Sequence, residues 1–155
     1  MDTGIKSVIE EVSKMENQSA LEWIAKNHES HFCRMAAVRG ITDQAILMDI
    51  IYDEHNSYVR LAAVERITDQ DALERIAGMD DGARVRAAAV DRITNKATLI
   101  QIAAEDDSIS VRWTAIRRFK ELQADMNQKN KKQAWEDGGE DGYRDEGHDR
   151  RGGQN

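Results

Sequence analysis

Proline is missing from all 155 residues of the chain. Its average use is roughly 5% and it collects in turns and loops, so its absence excludes a loop-rich β architecture and favours helices joined by very short connections. Cysteine occurs once, at Cys33, which excludes an internal disulfide and any zinc or iron–sulfur site that needs several thiolates. Aromatics are 5% and hydrophobic residues 40%, too little for one large oily core. No stretch approaches the roughly 18 to 20 apolar residues of a membrane span. The opening MDTGIKSVIEEVSK lacks the apolar stretch and cleavage site of a signal peptide. These absences together predict a cytoplasmic protein without membrane association. Bases are also in deficit, 22 Lys and Arg against 29 Asp and Glu for a net charge of −7, which speaks against a dedicated nucleic-acid binder. Seven acids and three bases fall in residues 135–155, so much of that excess belongs to the end of the chain.

What is present is a repeat with a period of 26 residues. Arg34, Arg60, Arg86 and Arg112 share this spacing, as do Ala37, Ala63, Ala89 and Ala115. So do Leu21, Leu47, Leu73 and Leu99, and Ile24, Ile50, Ile76 and Ile102. With common residues used at roughly 5 to 10% each, one fixed column arises by chance on the order of once in several thousand trials. The unit reads VRxAAVxRIT and then DQxxLxxIAxxDD, with apolar residues at spacings of three and four in both halves, the period of helices. Each unit is therefore a pair of helices of about nine residues, marginal alone and stable only through stacking on neighbours. Thr42, Thr68 and Thr94 fall between the halves, where the reading makes them caps of the second helix, Thr68 pairing with Asp71 in a capping box.

The first unit, residues 5–14, is degenerate, with Val8 in the arginine column, as expected of the end of a stack. From Val111 to about Ala134 one longer helix is expected to cover the last unit. Domain organisation is therefore read as a repeat domain over residues 1–134 and a tail over 135–155. Residues 136–155 hold six of the ten glycines and no aliphatic residue, the composition of a disordered segment.

The acid followed by Val-Arg and small residues, at Asp80 with Val85 and Arg86 and at Asp106 with Val111 and Arg112, resembles the HEAT repeat family. The short unit also resembles the leucine-rich variant repeat. The resemblance covers roughly residues 15–120 and implies an all-α α-solenoid of stacked two-helix repeats. The unit is shorter than a usual HEAT repeat, and the N-terminal cysteine cluster of leucine-rich variant repeats is missing, so no iron–sulfur centre is carried over. Such families serve mainly as binding surfaces and scaffolds, and the fold alone does not fix the role.

The arginine ladder lies on the core-facing arc with Val59, Ala63, Val64 and Ile67. A guanidinium there needs a carboxylate and carbonyls, and Glu54, Asp80 and Asp106 stand six residues before Arg60, Arg86 and Arg112, so the ladder is read as structural. His28, His31, His55 and Cys33 form no repeated column and are read as loop histidines and a core thiol, with no metal and no cofactor expected. Glycine-rich phosphate loops, nucleophile elbows and HExxH motifs are all missing, so the chain is not read as an enzyme.

A protein partner is the preferred expectation. Trp23, Asp49, Arg75 and Gln101 share a column opposite the Leu and Ile stripe of the second helix, with Tyr52 one turn on, and Trp, Tyr and Arg are types favoured at binding hot spots. The alternative for Trp23 is packing against the degenerate first unit, and Trp113, near the stack's end, is read as a cap. A nucleic-acid-binding solenoid is the second reading, using a basic edge of Arg66, Arg92, Arg117, Arg118 and Lys120 to follow a phosphate backbone. Glu65 and Asp91 interrupt that edge.

Overall fold

A computed structural model describes residues 3–138. Among the described residues it is all-α, with nine helices and no strand. They are α1 (Thr3–Ser13), α2 (Gln18–Asn27), α3 (His31–Gly40), α4 (Gln44–Asp53), α5 (Ser57–Val64), α6 (Gln70–Met79), α7 (Ala83–Val90), α8 (Lys96–Glu105) and α9 (Ile109–Gly138). The chain divides into two compact units, Met1–Lys120 and Glu121–Asn155. In the second unit the described residues continue α9 to Gly138, so residues 135–138 are helical where a tail was expected. Lys132 with Glu136 and Gln133 with Asp137, each four residues apart, support that last stretch. Residues 139–155, the rest of the expected tail, lie outside the described residues.

Within Met1–Lys120, α1, α3, α5 and α7 pack in succession, and α2, α4 and α6 each pack on the helix that follows. The close hairpins α2–α3, α4–α5 and α6–α7 therefore span the acid-rich turns. Buried alanines allow this approach, among them Ala25, Ala36, Ala37, Ala62, Ala63, Ala77 and Ala89. The repeated columns form the core: Leu21, Leu47, Leu73 and Leu99 are inaccessible or nearly so, as are Ile41, Ile67 and Ile93. Each such side chain contributes about 1.5 to 3 kcal/mol relative to exposure. Gly40 is set by the same closeness, since a Cβ there would meet Leu21 Cδ1 at 2.9 Å.

The threonines do not cap the second helices. The capping residue is one position later: Asp43 accepts from the N–H groups of Ala45 and Ile46, Asp69 from Ala72, and Asn95 from Ala97. Asn17 does the same for α2 through Ala20. A carboxylate or amide oxygen on a short stem reaches the second and third N–H of a helix from the residue just outside it. The threonines instead bind a glutamine of the preceding repeat. Gln44 Oε1 accepts from Thr68 N at 2.8 Å and from its hydroxyl at 3.3 Å, while Gln44 Nε2 donates to Arg66 O. Gln18 treats Thr42 and Gly40 in the same way, and Gln70 treats Thr94 and Arg92.

Candidate partner-binding face

The arginine ladder is closed within each unit by a carboxylate and tied to the unit before by backbone carbonyls. Arg34 makes a two-pronged pair with Glu54, Nε to Oε2 at 2.7 Å and a second nitrogen to Oε1 at 3.2 Å. Arg60 pairs in the same way with Asp80, and Arg86 with Asp106. Each partner lies 20 residues after its arginine. The residue six positions before contributes its backbone carbonyl, as Glu54 O does to Arg60 at 3.0 Å and Asp80 O to Arg86 at 2.8 Å. The expected carboxylate partner six residues before is thus corrected: that carboxylate serves the arginine of the repeat before it. It also holds its own turn, since Glu54, Asp80 and Asp106 accept from the N–H groups of Asn56, Gly82 and Ser108.

Burial pushes the Glu54 carboxyl up, but hydrogen bonds from Arg34 and from Asn56 N–H, with the guanidinium charge, hold it below the usual carboxylate range. Asp106 is lowered likewise: burial opposes ionisation, and Arg86 and Ser108 N–H outweigh it. The hydrogen bond to Asp106 in turn raises Arg86 above its ordinary value. With Arg86 buried and Asp106 nearly so, these groups are structural parts.

The first and last rungs differ. Val8 replaces the arginine, and the matching acid position holds His28, whose Nδ1 still accepts from Ser30 N at 3.1 Å. The charge pair has been lost as a pair while the turn bond is kept. Arg112 retains its carbonyls, Asp106 O at 2.7 Å and Asp107 O at 3.3 Å, and forms no carboxylate pair among the described residues.

The predicted partner residues lie on the exposed side of the even helices. Trp23 on α2 is 64% exposed and Tyr52 on α4 is 59% exposed, so Trp23 is not packed away against the first unit. Asp49, Arg75 and Gln101 are exposed on α4, α6 and α8. Three clefts run between successive even helices. One between α2 and α4, about 320 Å³, is lined by Lys26, Ile50 and Asp53. One between α4 and α6, about 400 Å³, brings Tyr52, Arg75 and Met79 together. One between α6 and α8, about 910 Å³, joins Arg75 to Gln101. Met79, 70% exposed beside Tyr52, was not foreseen, because its column holds Asp53 and Glu105 in neighbouring repeats. Trp113, read as a cap, is 62% exposed.

The basic edge lies elsewhere and is largely engaged with backbone. Arg66 Nε donates to Ile41 O at 3.4 Å, Arg92 to Val64 O, and Arg118 Nε to Ile93 O at 3.1 Å. Arg117 pairs with Asp91 at 2.8 Å, and Lys120 is exposed. Cys33 is fully buried, and no group of three metal-ligating side chains occurs among the described residues. No described helix is long and apolar enough to cross a membrane. No protein-family model, curated protein or solved structure matches the chain.

Proposed function

We propose that Met1–Lys120 is a small α-solenoid of HEAT-like two-helix repeats that works as a protein-interaction module or scaffold. Its partner lies along the exposed side of α2, α4, α6 and α8. One observation carries this reading: Tyr52, Arg75 and Met79 stand exposed around one cleft between α4 and α6, and Trp23 stands exposed on α2, in a chain with few aromatics. Large rigid side chains next to concave surface are where binding energy concentrates. The repeat ladders support the same reading, because side chains pinned at both turns hold the helices in place before a partner arrives, which lowers the entropic cost of binding. The module acts in the cytoplasm by recognition, without covalent chemistry.

Capture of partners from the cell of origin tests the proposal. A specific protein is expected with the native chain and with Arg39→Ala, a change on exposed α3 surface. Its retention should fall by roughly 30-fold or more with Trp23→Ala or Tyr52→Ala. Retention on DNA or RNA that falls steeply with salt and is lost with Arg117→Ala would replace this reading with the nucleic-acid one.

A further inference from the structure

The three clefts are related by the repeat, and their sizes follow one column: Lys26, Tyr52, Gly78 and Ala104. Where the column holds a long side chain the clefts measure about 320 and 400 Å³; where it holds Gly78 the cleft opens to about 910 Å³. A Cβ built on Gly78 meets nothing within 4 Å, so no neighbour requires glycine there. Glycine inside a helix carries an entropic cost that alanine would not. The open space is therefore kept against local helix propensity.

Lys26, at the edge of the first cleft, shows how an ammonium sits in this column. Lys26 Nζ sits 2.8 Å from Glu22 Oε1 on its own helix and 3.8 Å from Asp49 Oδ2 on the next. The hydrogen bond to Glu22 raises the Lys26 pKa. Two repeats later the same carboxylate recurs as Glu74, but the lysine is Gly78. Glu74 accepts only the Thr98 hydroxyl, at 2.9 Å, among the described residues, and on α8 Glu105 accepts from Gln101, one turn before it, at 3.0 Å. Asp71 adds a third acid, exposed where Glu74 is half-buried, and Arg75, shared with the neighbouring cleft, is the cation among the described lining residues.

We infer that the cleft between α6 and α8 binds a lysine side chain of a basic protein segment, its ammonium taking beside Glu74 the place that Lys26 occupies beside Glu22. The segment lies across the even helices, so this assignment rests on the proposed binding face and supplies the chemistry of its partner. Charge complementarity selects this occupant. The four even helices carry six carboxylates against three cations, whereas the exposed charges on α3, α7 and the start of α9 are basic: Arg39, Arg84, Arg117 and Lys120.

A fluorescein-labelled lysine–leucine peptide, titrated by anisotropy against the full chain, is the test. Gly78→Ala is expected to bind it as the native chain does. Gly78→Lys, which recreates the Lys26–Glu22 arrangement with Glu74, should weaken binding about tenfold or more, the scale of one charge-assisted hydrogen bond. Both should melt at or above the native temperature, which separates a blocked cleft from a damaged fold. Glu74→Gln should weaken binding similarly, and Glu10→Gln, which removes one exposed acid from α1, should not. Equal losses from Glu74→Gln and Glu10→Gln would reduce the effect to net charge and overturn the assignment, as would full binding by Gly78→Lys or no binding by the native chain. Loss with Tyr52→Ala but not with Gly78→Lys would refute the lysine site while leaving the binding face standing.

Discussion

At the acid-rich turns the helices of Met1–Lys120 are joined through charge: Arg60 to Asp80 and Arg86 to Asp106 within a unit, each guanidinium also taking two carbonyls from the turn that ends the unit before. At the other end of the same helices they are joined through neutral amides: Gln44 to Thr68 and Arg66, Gln70 to Thr94 and Arg92. Both devices answer one problem, that short helices leave backbone groups unpaired at every end. They differ in what each turn offers. The acid turns present carbonyls and a carboxylate, all acceptors, which suit a guanidinium with five donors. The threonine turns present one N–H and one C=O, matched by a single amide. The two-pronged carboxylate pairs lie at the acid-rich rim; at the other rim the amides are accompanied by Arg66, Arg92 and Arg118, which donate to backbone carbonyls, and by the exposed Arg117–Asp91 pair.

Removing a rung should expose that difference most sharply. Arg86→Ala leaves Asp106 nearly buried without its cation and should cost about 3 to 5 kcal/mol, read as a lower urea midpoint with an unchanged slope. Gln70→Ala frees the Thr94 N–H and Arg92 carbonyl at a partly exposed edge and should cost about 1 to 2 kcal/mol. Equal losses from the two would abolish the distinction.

The rims should also part under acid. Glu54 and Asp106 have lower pKa values folded than unfolded, so their contribution is complete above the ordinary carboxylate value of roughly 4. It fades as pH falls through that value and is gone below the folded ones. Urea midpoints measured between about pH 7 and pH 3 should therefore fall for the native chain and for Gln70→Ala in parallel, and less steeply for Arg86→Ala. The smallest effect belongs to a cap: Asp69→Ala should cost about 1 kcal/mol at neutral pH, and a loss as large as that of Arg86→Ala would mean the ladders are not the principal ties.

The core was legible because burial needs only a column of apolar residues: the columns of Leu73 and Ala63 are fully repeated, and that of Ile67 changes only to Phe119. Direction along the stack was not. In a 26-residue period, the position six before an arginine and the position 20 after it are the same column. Sequence spacing identifies Asp80 and Asp106 as the acids of the ladder yet leaves open which repeat's acid Arg86 holds. The glutamine ladder was visible as an identical polar column, Gln18, Gln44 and Gln70, and its meaning was hidden for the same reason. Thr42 and Thr68 sit two residues before a glutamine in the chain, and Thr94 two before Lys96, while each bond runs to the glutamine one repeat earlier. Exposure of Trp23 and Tyr52 follows from the helical arc, but the clefts depend on side-chain volume at Gly78 and Lys26, which periodicity does not report.

The rungs have a consequence for length. The arginine rungs tie residue n to n+20 within a unit and the glutamine rungs tie n to n+24 in the next, so excising or duplicating one whole 26-residue unit keeps both spacings. An insertion of any other size between Arg60 and Asp80, or between Gln44 and Thr68, would put the two ends of that rung out of register. The two ladders thus set a common step of 26 residues along the chain, each column meeting its counterpart only one unit on.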